Sequence, residues 1–405
     1  MPPPVFSALL RAPHVRATLA ETSNGMVTAA VALGVEVRPL AHADGCSLAE
    51  PIRARIDIPR RDAAAMDGYA LGADPVLGAP LRWEIVDTST TVLSGGEAMR
   101  VATGAPLPGG AMCVLPIERA IVTDGWVESD SAALERSGIR ARGSDLRSGA
   151  IALAAGCRIG PRALVAAAAA DVATVVVRRR PRVGVLVRGA GLVAPGDAAA
   201  SRDTTPDVLG QALLSFAAVW GGRPGDSVRI GDDSEVFLTA VSAMRDRADV
   251  IVLVGGAAHG ARDATKDALG PLGLKLGFDG LAIRPGRPTW YGRIGETHLL
   301  ALPGNPTAAM TVARLLLAPL LLRLAGEDPA AALAWEPMPL LAPVVSTGAR
   351  EAFLCATAEA GGVRVLDRGS DALGQMMLAS ADRLVARPAH GRALPVGASV
   401  PCLRF

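Results

Sequence analysis

The sequence predicts a multidomain α/β protein whose central domain is a doubly wound, mostly parallel sheet. Largely apolar runs predict buried strands at residues 183–187, 249–254 and 298–302. Helical periodicity predicts helices between these strands and after them, at residues 206–220, 233–247 and 307–324. Strands that alternate with helices in this order are typical of a doubly wound α/β domain, in which ligands bind outside the carboxyl ends of the strands.

Length and patterning indicate further domains around this centre. A chain of 405 residues is too long for one core, because domains usually contain ~100–200 residues. Periodicity predicts a helix at residues 15–33, and short alternating runs predict a β-rich module at residues 61–148. Prolines from residue 329 onward mark a linker, and the alternating runs beyond it predict a small C-terminal β domain.

Charge and cysteine usage argue against several classes of protein. The 41 basic and 39 acidic residues leave a net charge of +2, which gives no overall field for nucleic acid or a membrane surface. The five cysteines are scattered and never stand in C-x-x-C spacing, so neither a disulfide framework nor a zinc site is expected. Because the sequence has no signal-peptide pattern and no uninterrupted apolar run of ~20 residues, we expect a cytoplasmic protein.

Two proline-glycine loops give the clearest indication of a binding site. Residues 283–288 read Ile-Arg-Pro-Gly-Arg-Pro, and residues 302–306 read Leu-Pro-Gly-Asn-Pro directly before the long apolar helix. Proline and glycine hold such loops in one shape, and a helix N-terminus directs free N–H groups toward an anion. Arg284 and Arg287 add positive charge, so we expect a phosphate or another oxyanion here. The alternative for either loop alone is a tight turn with solvated arginines.

The predicted topology places several loops on one edge of the sheet. The segments 188–191, 255–260 and 303–306 each follow a predicted strand, so they lie at the carboxyl ends of the strands. We therefore expect one anion site, in which both proline-glycine loops join the glycine loop that contains Gly255 and Gly256.

The chain resembles the molybdenum insertases, the MoeA/gephyrin E-domain family, through short motifs that occur in family order across most of its length. The motifs are Ala65-Met66-Asp67-Gly68-Tyr69-Ala70, Thr103-Gly104-Ala105-Pro106-Leu107-Pro108, Arg142-Gly143-Ser144-Asp145, Pro181-Arg182-Val183, Gly255-Gly256, Asp263-Ala264-Thr265-Lys266, and the two proline-glycine loops. Each motif alone is weakly specific, whereas the set is highly specific.

The resemblance implies four domains and an elongated homodimer. It implies an N-terminal helix that packs with the α/β domain (residues 1–33), a split domain I (34–56 and 148–180), a β-rich domain II (57–147), a MogA-like, molybdopterin-binding α/β domain III (181–328) and a small β-barrel domain IV (329–405). The family's active cleft is formed by the α/β domain of one subunit and domain II of the other.

The resemblance also implies an activity and a set of site residues. Family members take adenylylated molybdopterin and molybdate, release AMP with help from Mg²⁺, and produce the molybdenum cofactor. Catalytic roles are implied for Asp67, Asp145, Asp263 and Lys266, with Asp67 and Asp263 as metal ligands. Substrate-binding roles are implied for Thr103, Gly255, Gly256, Arg284, Arg287, Pro303, Gly304, Asn305, Pro306 and Arg350. From the residues alone, Asp67 and Thr103 could also be turn residues, and Asp263 could cap its helix.

The chain departs from the family pattern at several of these positions. The family's first α/β loop reads Ser-Thr-Gly-Asp-Glu-Leu, whereas residues 187–192 read Val-Arg-Gly-Ala-Gly-Leu, so Ala190 and Gly191 replace both acids. Met112 stands where the family has an aspartate, and Cys355 where it has an arginine. Because lost carboxylates weaken Mg²⁺ binding, two hypotheses remain. The chain is an insertase, or it is a catalytically impaired paralogue that binds molybdopterin or a related phosphorylated ligand as a carrier or regulator.

Overall fold

The computed structural model describes residues 16–73, 81–129, 136–255, 261–366 and 375–405, with the backbone alone at residues 261–264. The helices are α1 (Leu19–Ala29), α2 (Pro161–Ala169), α3 (Gly210–Val219), α4 (Ser234–Arg245), α5 (Ala261–Leu269), α6 (Pro306–Val312), α7 (Ala318–Leu324) and α8 (Gln375–Ser380).

The strands are mostly short. In chain order they are β1 (Val35–Pro39), β2 (Ile52–Arg53), β3 (Ala63–Ala64), β4 (Gly68–Leu71), β5 (Leu81–Val86), β6 (Glu97–Val101), β7 (Cys113–Pro116), β8 (Ile121–Thr123), β9 (Trp126–Ser129), β10 (Ile139–Arg140), β11 (Ile151–Leu153), β12 (Thr174–Arg178), β13 (Arg182–Arg188), β14 (Leu192–Val193), β15 (Thr205–Pro206), β16 (Arg223–Ile230), β17 (Val250–Val254), β18 (Lys275–Asp279), β19 (Ile283–Arg284), β20 (Trp290–Ile294), β21 (Thr297–Leu302), β22 (Glu336–Pro339), β23 (Glu351–Glu359), β24 (Gly362–Val365), β25 (Arg383–Arg387) and β26 (Ser399–Arg404).

The chain divides into two compact units. Unit 1 comprises residues up to 36, residues 45–47 and residues 178–405, and unit 2 comprises residues 37–44 and 48–177. The finer division into four domains stays a prediction.

Unit 1 is centred on a sheet with the strand order β16-β13-β17-β21-β20-β18. The first four strands are parallel, β20 pairs antiparallel with β21, and β18 pairs antiparallel with β20 at the edge. Every residue of β17 is buried, as the continuous apolar run predicted. The predicted doubly wound α/β domain is therefore confirmed. Because β13 lies between β16 and β17, the winding reverses at β13 and opens a crevice at the carboxyl ends of these strands.

Helices cover both faces of this sheet. The cluster on one face takes side chains from α1, α3, α6 and α7, among them Leu19 and Met26 of α1. The cluster on the other face takes Phe237, Val241 and Met244 from α4, and Leu269 from α5. Apolar residues at three- and four-residue spacing turn one side of each helix toward the sheet.

The longest helical segment lies in the core. A π-helical segment, Ala313–Leu317, joins α6 to α7, so the helix runs from Pro306 to Leu324. Its length and hydropathy would allow it to span a membrane, but 83% of its most apolar window is buried inside the protein. Burial of this extent is what a core helix shows.

The C-terminal part of unit 1 forms a second sheet with the strand order β19-β23-β25-β26-β22. The small C-terminal β domain expected from the sequence is therefore present. Strand β19, which opens the first proline-glycine loop, pairs in parallel with β23. That loop therefore connects the α/β domain to the C-terminal sheet.

Unit 2 contains a sheet with the strand order β7-β4-β6-β5-β9-β8, in which only β5 and β6 are parallel among the described pairs. Buried apolar clusters line both faces of this sheet. The β-rich module predicted for this region is confirmed.

Candidate functional site

A cavity of about 390 Å³ lies at the carboxyl ends of the parallel strands, in the crevice beside β13. We call it the sheet-edge cavity. The loops after β13, β17 and β21 and the segment 205–209 before α3 contribute to its walls, which include Arg188, Gly189, Ala190, Leu192, Asp207, Gly255, Gly304 and Pro306. Gly255, Gly304 and Pro306 therefore lie where the sequence predicted. Gly256 lies outside the described residues.

Two glycines allow the backbone of these loops to come close together. Gly255 has a φ of +85°, and a Cβ there would lie 2.1 Å from the carbonyl oxygen of Arg188. A side chain at Gly304 would meet only the Cα of Gly255, at 3.7 Å. Gly255 is thus required by the fold, whereas Gly304 leaves open space at the cavity wall.

The second proline-glycine loop is fixed by the helix that follows it. Asn305 is the N-cap of α6, and its Oδ1 accepts a hydrogen bond of 3.0 Å from the backbone N–H of Ala308. Pro306 occupies the first turn, where a missing N–H costs nothing. Pro303 is buried and is not part of the cavity wall. The amide of Asn305 therefore serves the helix, which is the usual role of asparagine at this position.

Arg188 replaces a threonine of the family pattern, and its side chain is 9% exposed. Its guanidinium donates to Thr265 Oγ1 at 3.2 Å and to the backbone oxygen of Asp232, and it lies 5.2 Å from the centre of the Phe237 ring. The charge of Arg188 is thus directed to α4, α5 and the loop between β16 and α4.

Asp207 has a buried carboxylate and lies in the wall of the sheet-edge cavity. It was not among the site residues predicted from the sequence. Its Oδ1 accepts hydrogen bonds from the N–H groups of Leu209 (3.0 Å) and Gly210 (2.9 Å) at the start of α3. Its Oδ2 lies 3.8 Å from Arg229 Nη1. An aspartate placed just before an apolar helical run is a signal that could have found it.

A second cavity, of about 530 Å³, lies where β19 meets the C-terminal sheet. We call it the arginine cavity. Arg284 and Arg350 both line it, together with Ser346, Thr347 and Ala352. No acidic side chain is among its described walls. The structure therefore brings together two predicted site residues that are 66 positions apart.

The expectation of a single site for both proline-glycine loops stays a prediction. Gly255 and Gly304 line the sheet-edge cavity, whereas Arg284 lines the arginine cavity. Strand β19 pairs with β23, so Arg284 belongs to the C-terminal sheet. Arg287 is in the wall of neither cavity.

Lys266 forms an ion pair with Asp279, at the end of β18. The lysine side chain is 12% exposed and the aspartate side chain 34% exposed. The pair ties α5 to the segment that leads into the first proline-glycine loop. The side chain of Asp263 lies outside the described residues.

Asp67 and Thr103, both predicted site residues, lie together in unit 2. Asp67 Oδ1 accepts hydrogen bonds from the backbone N–H of Thr103 at 2.7 Å and from its Oγ1 at 2.8 Å. These two bonds, the backbone one first, lower the pKa of Asp67 below its ordinary value. The carboxylate stays exposed and ionised, which suits a group that meets a cation.

Asp145 accepts a hydrogen bond from Arg140, and its side chain is 54% exposed. Arg142, in the same motif, donates its backbone N–H to Asp62 at 2.7 Å and its Nε to Asp57 at 2.6 Å. The motif thus holds together the loops around it. Within the part of the chain that the structure describes, no cluster of three or more His, Cys, Asp or Glu residues could hold a metal ion.

Comparison with known proteins agrees with this architecture. Residues 15–170 match the MoeA N-terminal region (domain I and II), and residues 184–323 match the probable molybdopterin binding domain. Molybdopterin molybdenumtransferase 2 of Mycobacterium tuberculosis is 32% identical over 299 residues, which cover 67% of this chain and 71% of that protein. The molybdopterin molybdenumtransferase of Synechococcus elongatus is 29% identical over 312 residues, or 73% and 77% of the two chains.

A solved structure extends the similarity to almost the whole chain. The molybdopterin biosynthesis MoeA protein of Pyrococcus horikoshii superposes with a TM-score of 0.77 at 27% identity, over 96% of this chain and 99% of its own. The two matching family regions cover most of the chain, in the same order as the β-rich and α/β parts described above. This protein therefore belongs to the MoeA family of molybdenum insertases.

Proposed function

We propose that this protein inserts molybdate into adenylylated molybdopterin and releases AMP, as a step of molybdenum cofactor biosynthesis. The observation that carries the proposal is the arginine cavity, whose walls include both Arg284 and Arg350. Two cations in such a cavity suit a small dianion, and a guanidinium fork matches the oxygens of a tetrahedral oxyanion. The relatives that are named molybdopterin molybdenumtransferase support molybdate as that anion.

The sheet-edge cavity is the proposed site of the pterin substrate. Its volume of about 390 Å³ lies in the range of small-molecule sites. Apolar walls from Val187, Leu192 and Val254 suit a flat ring, and Gly255 and Gly304 let the backbone approach it. In this arrangement catalysis consists of positioning molybdate and the dithiolene, and of stabilising charge while the phosphoanhydride is cleaved.

We further propose that Mg²⁺ takes part, with Asp67 as one ligand. Mg²⁺ usually binds through one or two carboxylates together with substrate phosphates and water, so it does not need a cluster of protein ligands. The exposed, ionised Asp67 fits that requirement. The bound ion would neutralise charge on the pyrophosphate, and Thr103 would hold the carboxylate in place. Asp263 stays a predicted second ligand.

We propose that the chain works as a homodimer in the cytoplasm. The proposal is supported by the family to which it belongs. Sedimentation analysis of the purified protein tests the dimer, and a single monomeric species at micromolar concentration would contradict it.

The activity is tested by AMP release. Purified protein is mixed with adenylylated molybdopterin, molybdate and Mg²⁺, and AMP is followed by chromatography. We expect release above the protein-free control, and a strong reduction in Arg284→Ala and Arg350→Ala. Arg364→Gln is the matched control, because Arg364 pairs with Glu359 at the surface of the same sheet. Tight ligand binding without AMP release would contradict the insertase and support the carrier hypothesis.

A further inference from the structure

Arg387 is a buried cation that no assigned role explains. It lies on β25 with 2% of its surface exposed. Its Nη2 donates to the backbone oxygen of Arg392 and its Nη1 to that of Val345 at 3.5 Å, while its Nε has no hydrogen-bond partner. No carboxylate pairs with it among the residues that the structure describes. Burial lowers the pKa of this guanidinium, which reflects the cost of a charge without a counter-charge.

The register of the C-terminal sheet places this charge behind the wall of the arginine cavity. Ala352 on β23 pairs with Arg284 on one side and with Arg387 on the other. Residues that pair directly across strands project to the same face of a sheet. Arg284 and Arg387 therefore flank Ala352 on one face, and strand spacing puts their Cα atoms about 10 Å apart. Glu351, the nearest acid along β23, projects to the opposite face.

Arg387 also braces the loop that carries Arg350. The loop at residues 342–350 forms most of the wall of the arginine cavity, and Val345 within it accepts one of the Arg387 bonds. Thr347 in the same loop donates to the backbone oxygen of Pro388, the residue after Arg387, at 2.5 Å. The segment that contains Arg387 is thus tied directly to the cavity wall.

We propose that Arg387 is a positioning residue that sets the affinity of the arginine cavity for a divalent tetrahedral oxyanion. Its charge attracts the anion across Ala352, whose small side chain lies between Arg284 and Arg387. Its hydrogen bonds hold the loop that carries Arg350 in place. The bound dianion in turn supplies the counter-charge that Arg387 lacks among the described residues. The inference rests on the proposed function, because it takes molybdate as the anion of this cavity.

The test measures binding of molybdate alone to the full chain by isothermal titration calorimetry, at low and high salt. Three variants are compared with the wild type: Arg387→Met removes the charge, Arg387→Lys keeps it, and Arg364→Gln is the control for loss of an exposed arginine. We expect Arg387→Met to weaken binding about tenfold and to reduce its salt dependence, as for the loss of one charge ~10 Å away. Arg387→Lys should stay within about threefold of the wild type, since the charge is retained.

The outcomes separate this inference from the proposed function. A wild type that binds molybdate, together with an Arg387→Met variant of equal affinity, would overturn the role of Arg387 alone. A wild type with no affinity for molybdate would overturn both. If Arg387→Met lacks a cooperative thermal transition, Arg387→Gln replaces it in the comparison with Arg387→Lys. Equal affinity of those two variants overturns the inference, and weaker binding by the uncharged one supports it.

Discussion

Gly255→Ala should destabilise unit 1 strongly, because the site geometry leaves no room for a methyl group. The φ of +85° costs a side-chain-bearing residue about 1–2 kcal/mol. The new Cβ would lie 2.1 Å from the carbonyl oxygen of Arg188, so the end of β13 must move aside. Such overpacking adds about 1–3 kcal/mol. The sum is about 3 kcal/mol, which corresponds to a fall in Tm of roughly 6–12 °C for a unit of this size.

The assay is thermal unfolding followed by circular dichroism, with chemical denaturation as the second measurement. Gly304→Ala is the matched control, since it adds the same methyl group to the wall of the same cavity. The Cβ there makes only an ordinary contact at 3.7 Å. We expect its stability to stay within ~0.5 kcal/mol of the wild type. Its affinity for molybdopterin should fall, because the methyl group enters the space proposed for the ring.

A Gly255→Ala variant that melts within about 1 °C of the wild type would contradict this reasoning, because the close approach of β13 and the loop after β17 would then not require glycine at position 255. If Gly304→Ala destabilises the protein as much as Gly255→Ala does, the inference that Gly304 borders open space is wrong.

Three further predictions concern single side chains. Asp249→Asn should cost about 2 kcal/mol, less than a fully buried ion pair because its two arginine partners are more than a third exposed. Burial raises the pKa of Asp249, but hydrogen bonds from the arginines outweigh this effect and leave the pKa below its ordinary value. The stability advantage of the wild type is therefore present above about pH 4 and is lost as the pH falls through the folded-state pKa. Thermal melts from pH 7 to pH 3 that show a constant difference between wild type and variant would contradict this. Thr103→Val removes the hydroxyl donor to Asp67 and should slow AMP release roughly three- to tenfold. Thr103→Ser keeps the hydroxyl and should not slow it. Equal rates of AMP release for both variants would refute a role for the hydroxyl. Asn305→Ala should lose about 1 kcal/mol of stability through the cap on Ala308, and Asn305→Asp should retain it, so identical melting of the two variants would exclude the cap.

Features that depend on neighbouring residues were predictable from the sequence. The buried strand β17 follows from five consecutive apolar residues, and the helix after residue 305 follows from its periodicity and its Asn-Pro start. The rigidity of both proline-glycine loops follows from the restricted φ of proline and the freedom of glycine. The pairing of Asp67 with Thr103 had a weaker signal, because only the two family motifs marked these residues before the structure joined them.

Features that depend on distant pairing were not predictable in the same way. The pairing of β19 with β23 places Arg284 in the wall of the arginine cavity together with Arg350, which is 66 positions away in the sequence. The lysine proposed to hold an anion is engaged by Asp279, and the charge of Arg188 is directed to α4 and α5. No local sequence pattern indicates either contact.

Local sequence patterns were enough to predict the order of strands and helices, the rigid loops and the family to which the chain is similar, because backbone restriction and side-chain periodicity act between near neighbours. Which loops share a cavity and which charges face each other became known from the three-dimensional fold. Those outcomes depend on strand register, which sets residues such as Arg284, Ala352 and Arg387 on one row although they are far apart in the chain. Register is selected by the whole buried face of a sheet, and no single segment encodes it.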